Sequence, residues 1–389
     1  MRAYKGPAPK MQAMTSSYDI CIRGGGIVGH TLALLLARDR WRVALVTNTP
    51  AATAGKDVRA YALNAKSKHL LESVKCWPDA LHATAVQRMD VFGDREGRVQ
   101  FSAANLAVDA LTWIVDVAPL EALLSQAARY QPSLDVMSDA VDAPLTVICE
   151  GKDSPLRQSL GVAAQTSPYP QRAVAARLRA QQGHGQVARQ WFHEGNILAL
   201  LPTEGALGHE VALVWSLPEQ RAHDMQHADA DVFAQAVASA CAHALGPMTL
   251  TSERQSWALQ STMAERWFGR WPQSGSSSDR AWVLAGDAAH TVHPLAGQGL
   301  NLGLADALEL TDLLRNKAPW RPVADLQLLR RYERSRRTQA TATDLTLNGL
   351  QKLFAQEHPA LQRLRNLGMQ GFERMNGLKT WVARQAMGI

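Results

Sequence analysis

The chain has 389 residues, of which 46% are hydrophobic and 20% charged, and its formal net charge is +6 at pH 7. This composition predicts a globular protein with a substantial core, folded as one large domain or two closely packed ones. The basic excess is mild and the sequence holds no RNA- or DNA-binding motif, so no nucleic acid is expected as a partner. No run of 18 uncharged apolar residues occurs, which argues against a transmembrane helix.

The leader and the cysteines bear on the cellular location. Residues 1–17 carry two lysines and two prolines without an apolar stretch, which predicts a disordered leader rather than a signal peptide. The four cysteines show no C-x-x-C pairing, so we expect reduced thiols in a cytoplasmic protein. No cluster of cysteine, histidine and acidic residues has the spacing of a zinc or iron site, so no metal is expected.

A glycine-rich turn near the N-terminus joins a predicted strand to a predicted helix. Gly24 allows the chain to turn, Gly26 lets a pyrophosphate approach the backbone, and Gly29 allows close packing of helix and strand. Ile27 and Val28 lie between these glycines and belong to the same predicted contact. The surrounding pattern predicts a strand, a helix and a second strand at residues 18–23, 30–38 and 42–47. This context predicts a dinucleotide-binding unit.

The end of the second strand departs from the usual pattern of such units. An acidic side chain commonly binds the adenosine ribose there, but this chain has Thr47. A hydroxyl can also bind a ribose, although without charge. We therefore expect Thr47 to contact the nucleotide through a weaker hydrogen bond.

The middle of the chain alternates between this first unit and a second set of strands. Beyond residue 171 the hydrophobic period changes to 2, which is typical of an antiparallel sheet that can offer one face as a pocket floor. The predicted elements are a helix at 65–71, a hairpin at 86–92 and 98–101, a strand at 113–115, a helix at 119–128, a strand at 145–149, strands at 173–179, 187–192, 197–201 and 211–217, and a helix at 229–245.

Residues 285–303 form the most informative stretch. They join a short apolar strand at 281–285 to an apolar helix at 300–314, and an acid, two histidines, a proline and two close glycines lie between. Glycines allow the backbone to approach a ligand closely. The start of the helix, with unpaired N–H groups and a positive dipole end, is a natural seat for an anionic group.

The tail from residue 326 onward is predicted to be helical. The charge run at 330–337 is typical of a solvated helix face. Residues 346–389 mix apolar and basic side chains, and two interpretations stay open: a helical cap packed on the rest of the protein, or a basic amphipathic element that docks on a membrane surface or a complex.

The stretch at 285–303 resembles the second flavin signature of the FAD-dependent aromatic hydroxylases, and most closely that of the ubiquinone-biosynthesis hydroxylase family. The resemblance implies that Asp287, after Gly286, holds the ribityl chain of FAD. It also implies that the start of the following helix faces the isoalloxazine ring. The residues at that helix start are Gly297, Gly299, Leu300 and Asn301.

Two further segments match motifs of these hydroxylases. Residues 57–63 resemble the family's Asp-x-Arg-x-x-Ala-Leu segment, which implies that Arg59 reaches the cofactor. The segment after the strand at 145–149 resembles the Asp-Gly-x-x-Ser-x-x-Arg motif, with Glu150 in place of the aspartate. Gly151, Ser154 and Arg157 are in register with that motif. Glutamate adds one methylene, so its carboxylate must retract or shift.

The resemblance also implies a domain organisation. The fold class is α/β, with a Rossmann-like FAD-binding domain, an inserted antiparallel-sheet substrate domain and a helical C-terminal tail. The FAD-binding domain takes residues 18–75, 111–165 and 279–345, and the substrate domain takes 76–110 and 166–278. The C-terminal helices take 346–389.

The implied function is hydroxylation of the aromatic ring of a polyprenylated phenol in ubiquinone biosynthesis, with FAD as cofactor, NAD(P)H as transient co-substrate and O2. His293 and Pro294 lie nearest the flavin by motif and are the catalytic candidates. A histidine near neutral pKa could assist the reaction, although a hydrogen-bonded turn residue is the simpler interpretation of His293. Pro294 also counts among the predicted cofactor contacts.

Three alternative functions stay open, together with several partners. The alternatives are a hydroxylase of a soluble phenolic compound, an isoprenoid-reducing flavoenzyme, and a catalytically silent flavoprotein scaffold of a biosynthetic complex. The expected partners are the prenylated phenol, O2, a membrane surface, and a biosynthetic complex or a second copy of the chain. A prenylated substrate implies peripheral association with the inner membrane.

Overall fold

The computed structural model describes residues 18–47, 57–93, 97–193, 195–272, 280–292 and 297–355, with side chains through 349, and six separate positions between 371 and 384. Within these ranges the fold is α/β, as predicted. Three sheets and nine α-helices occur in the described part of the chain. None of the described helices has the length and apolarity that a membrane span requires.

The strands range in length from two residues to 17. In chain order they are β1 (Ile20–Arg23), β2 (Val43–Val46), β3 (Ala60–Leu63), β4 (Ala83–Val86), β5 (Arg88–Phe92), β6 (Arg98–Ser102), β7 (Thr112–Asp116), β8 (Leu134–Met137), β9 (Leu145–Ile148), β10 (Ala164–Ala180), β11 (Val187–His193), β12 (Asn196–Pro202), β13 (Glu210–Pro218), β14 (Met248–Leu250), β15 (Gln255–Ala264), β16 (Phe268–Arg270), β17 (Ala281–Leu284) and β18 (His290–Thr291).

The helices lie mainly in the first and last thirds of the chain. In chain order they are α1 (Ile27–Arg38), α2 (Ala65–Ser73), α3 (Ala103–Leu106), α4 (Val117–Tyr130), α5 (Pro155–Ser159), α6 (Glu219–His227), α7 (Ala230–Ala240), α8 (Gln298–Arg315) and α9 (Leu326–Ala355). Helix α1 begins three residues before the predicted start at 30, inside the glycine turn.

A six-stranded sheet forms the centre of the first unit, in the order β16-β17-β9-β1-β2-β8. All neighbours in it are parallel except β16 and β17. Strands β2, β9 and β17 are buried along their whole length, as expected of a sheet covered on both faces. Because β17, β9 and β1 are adjacent and parallel, their carboxyl ends meet at one edge.

A nine-stranded sheet forms the second unit, in the order β18-β15-β10-β13-β12-β11-β5-β6, with β14 paired to β10. Its edge strand β18 belongs to the segment that follows Asp287, where Met263 of β15 is paired with His290. The second unit is therefore hydrogen-bonded directly to the stretch that sequence analysis singled out. A separate three-stranded sheet has the order β3-β7-β4.

Four strands of the large sheet differ from the sequence-based expectation, and two of them are the short strands β14 and β18, neither of which was predicted. Strand β10 has 17 residues and begins at Ala164, nine residues before the predicted start, and β15 was not predicted. The first part of β10 contains Pro168 and Pro170, which weaken a strand pattern. Pairing with β15, interrupted by a register shift beyond Pro168, holds it extended.

The solvated face predicted for residues 330–337 is only partly correct. Arg330, Arg331 and Arg334 are exposed, but Tyr332 is fully buried and Arg336 is 2% exposed. Helix α9 therefore packs with one face against the first unit. Farther along, Leu347 of the same helix is buried with Val292 and Leu302.

Candidate functional site

A cavity of about 1270 Å³ extends from the carboxyl edge of the six-stranded sheet along one face of the nine-stranded sheet. Open α/β sheets bind ligands at that edge. The volume exceeds the range of roughly 300–1,000 Å³ that is usual for one drug-sized ligand. The cavity thus has room for a large cofactor and a second molecule beside it.

The glycine turn lines the cavity with bare backbone. Gly24 has φ +113°, and a Cβ there would lie 2.3 Å from the carbonyl oxygen of Cys149. A Cβ at Gly29 would lie 1.9 Å from the Gly24 oxygen, whereas a Cβ at Gly26 would meet nothing within 4 Å. Gly24 and Gly29 are therefore required by packing, and Gly26 leaves open space on the cavity side.

Helix α1 presents its N-terminus to this space. Its N-cap, Gly26, supplies no side-chain hydrogen bond to the first turn, and Ile27 and Val28 line the cavity with it. The unpaired N–H groups and the positive end of a 12-residue helix make a seat for a pyrophosphate. The geometry is that of a dinucleotide-binding turn.

Thr47 lies at the end of β2 beside the glycine turn. A Cβ added to Gly25 would lie 2.2 Å from Thr47 Oγ1, so the two residues are in direct contact. Sequence analysis did not single out Gly25, whose function is to make room for this threonine. Contact of Thr47 with a ribose stays a prediction.

Arg59 lines the cavity in a fixed ion pair. Its Nε donates to Asp57 Oδ1 at 2.9 Å and its Nη2 donates to Asp57 Oδ2 at 2.5 Å. These hydrogen bonds raise the pKa of the Arg59 guanidinium. Burial opposes ionisation of Asp57, but the bonds from Arg59 outweigh it and lower the pKa of that carboxyl. Both groups are therefore charged at neutral pH.

Glu150 serves as an anchor for the loop that follows β9. Its Oε2 accepts hydrogen bonds from Ser154 Oγ at 2.8 Å and from the Leu156 backbone at 3.1 Å, and its Oε1 lies 3.4 Å from Arg23 Nη2. The extra methylene relative to aspartate is accommodated by this retraction onto the start of α5. Glu150 and Gly151 line the cavity beside the glycine turn.

Arg157 joins the same loop to the second flavin motif. This side chain is 6% exposed. Its Nη1 donates to the Ala288 carbonyl at 2.9 Å and its Nη2 to the Lys152 carbonyl at 2.7 Å. The middle motif therefore ties two cofactor loops together through Arg157.

Asp287 is one of the residues that line the cavity. It makes no hydrogen bond with any residue that the structure describes, and it lines the cavity after Gly286, whose φ is +62°. Asp287 is exposed to the open space of the cavity, although protein atoms of the cavity walls surround its carboxyl on most sides. Seclusion from water raises the pKa of the Asp287 carboxyl, and Asp306 adds to the effect while His290 opposes it.

A buried ionic network lies behind the same loop. Asp306 Oδ2 accepts from the Gly286 backbone at 2.9 Å and lies 2.7 Å from His290 Nε2, and its Oδ1 accepts from Arg336 Nε at 2.6 Å. Because an ionised carboxylate only accepts hydrogen bonds, His290 Nε2 carries the proton. The ring of His290 stacks on Trp267 at 5.1 Å between centroids.

The start of helix α8 faces the cavity with Gly297, Gly299, Leu300 and Asn301. A Cβ at Gly299 would meet nothing within 4 Å, so the backbone is open to a ligand there. Asn301 instead uses its amide for the protein: Nδ2 donates to Ala62 O at 2.8 Å and Oδ1 accepts from Ser67 Oγ at 2.7 Å. His293 and Pro294 lie outside the described residues.

The far part of the cavity is walled by the nine-stranded sheet. Small side chains on four neighbouring strands, β10 to β13, create its depth: Ala175, Ala188, Ala199 and Ala212. Larger apolar side chains border them, among them Met89, Phe101, Ile197, Leu201 and Trp257. A few polar residues interrupt this wall, namely Arg189, Gln190, Ser216, Gln255 and Gln260. The wall suits a largely apolar molecule with few polar atoms.

Two charged residues near the site were missed by sequence analysis. Asp306 had a recognisable signal, because it is an acid among apolar residues on the buried face of α8. Arg177 had none: it lies on β10 between apolar neighbours and looks like the outward half of an alternating strand. The acceptors of its side-chain hydrogen bonds lie 61 to 119 residues away in the chain.

The cavity carries the groups that the cofactor implied by the motifs needs. Three features lie along one cavity: an open backbone at Gly26, an uncapped helix start, and the Asp287 carboxylate, which has no hydrogen-bond partner among the described residues. These features match a pyrophosphate, which needs N–H donors, and a ribityl chain, whose hydroxyls donate to a carboxylate. The residues present therefore fit FAD.

Comparison with known proteins gives the same result. The FAD binding domain family matches residues 125–344, which is more than half of the chain. Among curated proteins, the 3-demethoxyubiquinol 3-hydroxylase of Escherichia coli K12 is 27% identical over 95% of this chain and 98% of its own length. The human ubiquinone biosynthesis monooxygenase COQ6 is 28% identical over 94% of this chain and 91% of its own length.

Solved structures share the fold at low sequence identity. PqsL of Pseudomonas aeruginosa, a probable FAD-dependent monooxygenase, has a TM-score of 0.71 at 20% identity, covering 91% of this chain and 99% of its own. The p-nitrophenol 4-monooxygenase PnpA of Pseudomonas putida has a TM-score of 0.73 at 14% identity, covering 95% and 98%. The chain belongs to the FAD binding domain family and is an FAD-dependent aromatic-ring monooxygenase, similar in sequence to the ubiquinone-biosynthesis hydroxylases.

Proposed function

We propose that the protein hydroxylates the aromatic ring of a polyprenylated phenol in ubiquinone biosynthesis, using NAD(P)H and O2. One observation carries the proposal: a single cavity joins the FAD motifs to a long, mainly apolar face of the nine-stranded sheet. The names of the relatives support the pathway. An apolar wall of this extent suits a hydrocarbon tail better than a small soluble phenol.

The residues of the first unit bind and orient the cofactor. Gly24 and Gly26 bring bare backbone to the pyrophosphate, Asp287 accepts hydrogen bonds from the ribityl chain, and Arg59 supplies a positive charge nearby. The start of α8 presents its positive dipole end to the flavin ring, which favours the negative charge of the reduced form. When bound, FAD supplies the redox chemistry that activates O2.

The residues of the second unit position the phenol and exclude water. The alanines at 175, 188, 199 and 212 make room beside the sheet, and the larger apolar side chains around them keep the cavity dry. Exclusion of water protects a reactive oxygen donor from unproductive decay. Catalytic roles for His293 and Pro294 remain part of this proposal and rest on the motif alone.

The test is an assay of the purified, FAD-loaded protein with NADH or NADPH, O2 and two phenols that differ only in the prenyl tail. We expect the prenylated phenol to gain one oxygen atom, detected by mass spectrometry, and the unprenylated phenol to react at least tenfold more slowly. Equal rates would indicate a hydroxylase of soluble phenols. Hydride consumption with release of peroxide alone would support the scaffold alternative.

A deletion strain provides the matching cellular test. If the proposal holds, the strain accumulates a quinone precursor that lacks one hydroxyl, and the wild-type gene removes the accumulation. The Asp287→Ala gene should fail to do so. Absence of any precursor in the deletion strain would contradict a role in this pathway.

We also propose that the protein associates peripherally with the inner membrane, where a prenylated phenol resides. The basic and apolar residues beyond 355 would add buried apolar area to electrostatic attraction. Truncation after Ala355 leaves α9 intact, including the buried Leu347. We expect the full chain to sediment with anionic vesicles in a salt-sensitive manner and the truncated chain to remain unbound; equal binding would remove this role of the tail.

A further inference from the structure

Arg177 is a buried cation at the junction between the two units. It lies on β10, is 8% exposed, and stands in register with Ala212 of β13, which lines the substrate side of the cavity. Two residues earlier on the same strand, Ala175 lines the cavity as well. Arg177 is therefore rooted in the sheet that walls the substrate space.

The guanidinium of Arg177 reaches out of that sheet and holds the backbone of the segment that carries Arg59. Its Nε donates to the Val58 carbonyl at 3.0 Å and its Nη2 to the Arg59 carbonyl at 3.2 Å. The Arg59 carbonyl also accepts from the Val117 backbone at 3.3 Å. The main chain at 58–59 is thus fixed from both the large sheet and helix α4.

Acidic side chains compensate the buried charge. Asp116 Oδ1 accepts from Arg177 Nη2 at 2.6 Å, and Glu210 Oε1 lies 3.9 Å from Nη1. The second oxygen of Asp116 lies 3.1 Å from His82 Nδ1. The planar guanidinium of Arg177 donates hydrogen bonds to two consecutive carbonyls and a carboxylate from two of its nitrogens. The single ammonium nitrogen of a lysine could not reach all three acceptors in the same geometry.

Arg59 itself depends on this segment for its orientation. Its backbone N–H donates to Asp57 Oδ1 at 3.0 Å, and its guanidinium returns to the same carboxylate. A fixed main chain at 58–59 therefore fixes the ion pair, and with it the direction in which the cation faces the cavity.

We propose that Arg177 is a positioning residue for FAD binding. It acts through the backbone of Val58 and Arg59, and it couples the nine-stranded sheet to the Arg59 guanidinium on the cofactor side of the cavity. The inference rests on the proposed contact of Arg59 with bound FAD. Its distinguishing consequence is that loss of Arg177 matters for FAD only while Arg59 is present.

The experiment compares FAD dissociation constants by fluorescence titration, together with thermal unfolding of the FAD-free protein. The variants are Arg177→Gln, Arg177→Lys, Arg59→Ala and the double variant Arg177→Gln/Arg59→Ala. Arg179→Gln is the matched control, because Arg179 lies two residues on along the same strand and pairs with Glu204 at the surface. We expect Arg177→Gln to raise the Kd for FAD at least tenfold and Arg177→Lys to raise it nearly as much. We expect Arg179→Gln to change the Kd less than twofold.

The double variant separates positioning from a merely structural effect. In the Arg59→Ala background, Arg177→Gln should leave the Kd unchanged while still lowering the unfolding temperature. Equal Kd increases with and without Arg59 would overturn the coupling through that residue. An unchanged Kd for folded Arg177→Gln would overturn the positioning role. An unchanged Kd for Arg59→Ala alone would instead remove the assumed FAD contact of Arg59, and with it this inference, while the hydroxylase assay stays independent of both.

Discussion

Two aspartates on either side of one cofactor loop have opposite environments. Asp306, behind the loop, is fully buried, and its carboxylate is bonded to Gly286 N–H, His290 and Arg336. Asp287, in front of the loop, has no hydrogen-bond partner among the described residues. Although burial by itself disfavours the charge of Asp306, His290 and Arg336 lower the pKa of that carboxyl, whereas the pKa of Asp287 is raised.

The difference between the two environments separates a structural role, that of Asp306, from a binding role, that of Asp287. A buried charge that is held by several hydrogen bonds fixes the shape of its surroundings, and in this protein Asp306 links α8 and α9 to the loop. A secluded charge without partners costs stability until a ligand supplies them. We infer that Asp306 shapes the loop and that Asp287 is held ready for the cofactor.

The largest expected effect comes from a substitution in the ionic network around Asp306, behind the loop. Asp306→Asn leaves Arg336 buried without its counter-charge, so we expect the unfolding free energy of the FAD-free protein to fall by about 3–5 kcal/mol. Denaturant unfolding measures it. The control is Asp312→Asn on the exposed side of the same helix, where the side chain pairs with Arg315 at the surface and contributes little. A loss below about 1 kcal/mol for Asp306→Asn would contradict the account.

The second effect concerns the front of the loop. Asp287→Ala removes the acceptor of charge-assisted hydrogen bonds from the ribityl chain, worth about 1.5–3 kcal/mol. The Kd for FAD should rise roughly ten- to 150-fold, measured by titration of the apoprotein, and the purified variant should lose its yellow colour. A variant that retains the flavin content of the parent would show that Asp287 does not face the cofactor.

The smallest effect concerns Thr47, at a position where dinucleotide-binding units commonly carry an acidic side chain. Thr47→Glu restores the charge that commonly binds the ribose, so we expect FAD to bind tighter by about 1 kcal/mol. The measurement is the same titration, with Thr47→Gln as an uncharged control of similar length. Weaker binding in both variants would show that the contact between Thr47 and Gly25 has been optimised instead.

Sequence analysis predicted the local motifs that line the cofactor side of the site, but it did not predict the long-range contacts that hold those motifs in place. The glycine spacing at 24–29 and the acid at 287 are local signals, because the backbone conformation that they require is set within a few residues. Arg177 and Arg336 act on partners 118 and 30 residues away in the chain. No periodicity encodes such a pairing, and in the run at 330–337 the buried arginine has the same composition around it as the exposed ones.

The large sheet shows the same limit. Strands β11 to β13 were predicted because their apolar residues alternate. In the structure β12 pairs with both β11 and β13 in antiparallel register. Strand β15 reads Gln-Ser-Trp-Ala-Leu-Gln-Ser-Thr-Met-Ala, in which polar side chains face the cavity as well as solvent. Its strand conformation comes from pairing with β10 rather than from its own pattern.

The stability of FAD-free Asp287→Asn tests the central claim most directly. Because the raised pKa of Asp287 means that its charged form is disfavoured in the folded state, its ionisation costs stability above the ordinary carboxyl range and costs nothing once pH falls below it. We therefore predict that the variant unfolds at a higher temperature than the parent at pH 7, that the advantage disappears as the pH falls toward 4, and that FAD binds more weakly to the variant than to the parent. A variant less stable than the parent at pH 7 would contradict the claim that Asp287 is kept without partners for the cofactor.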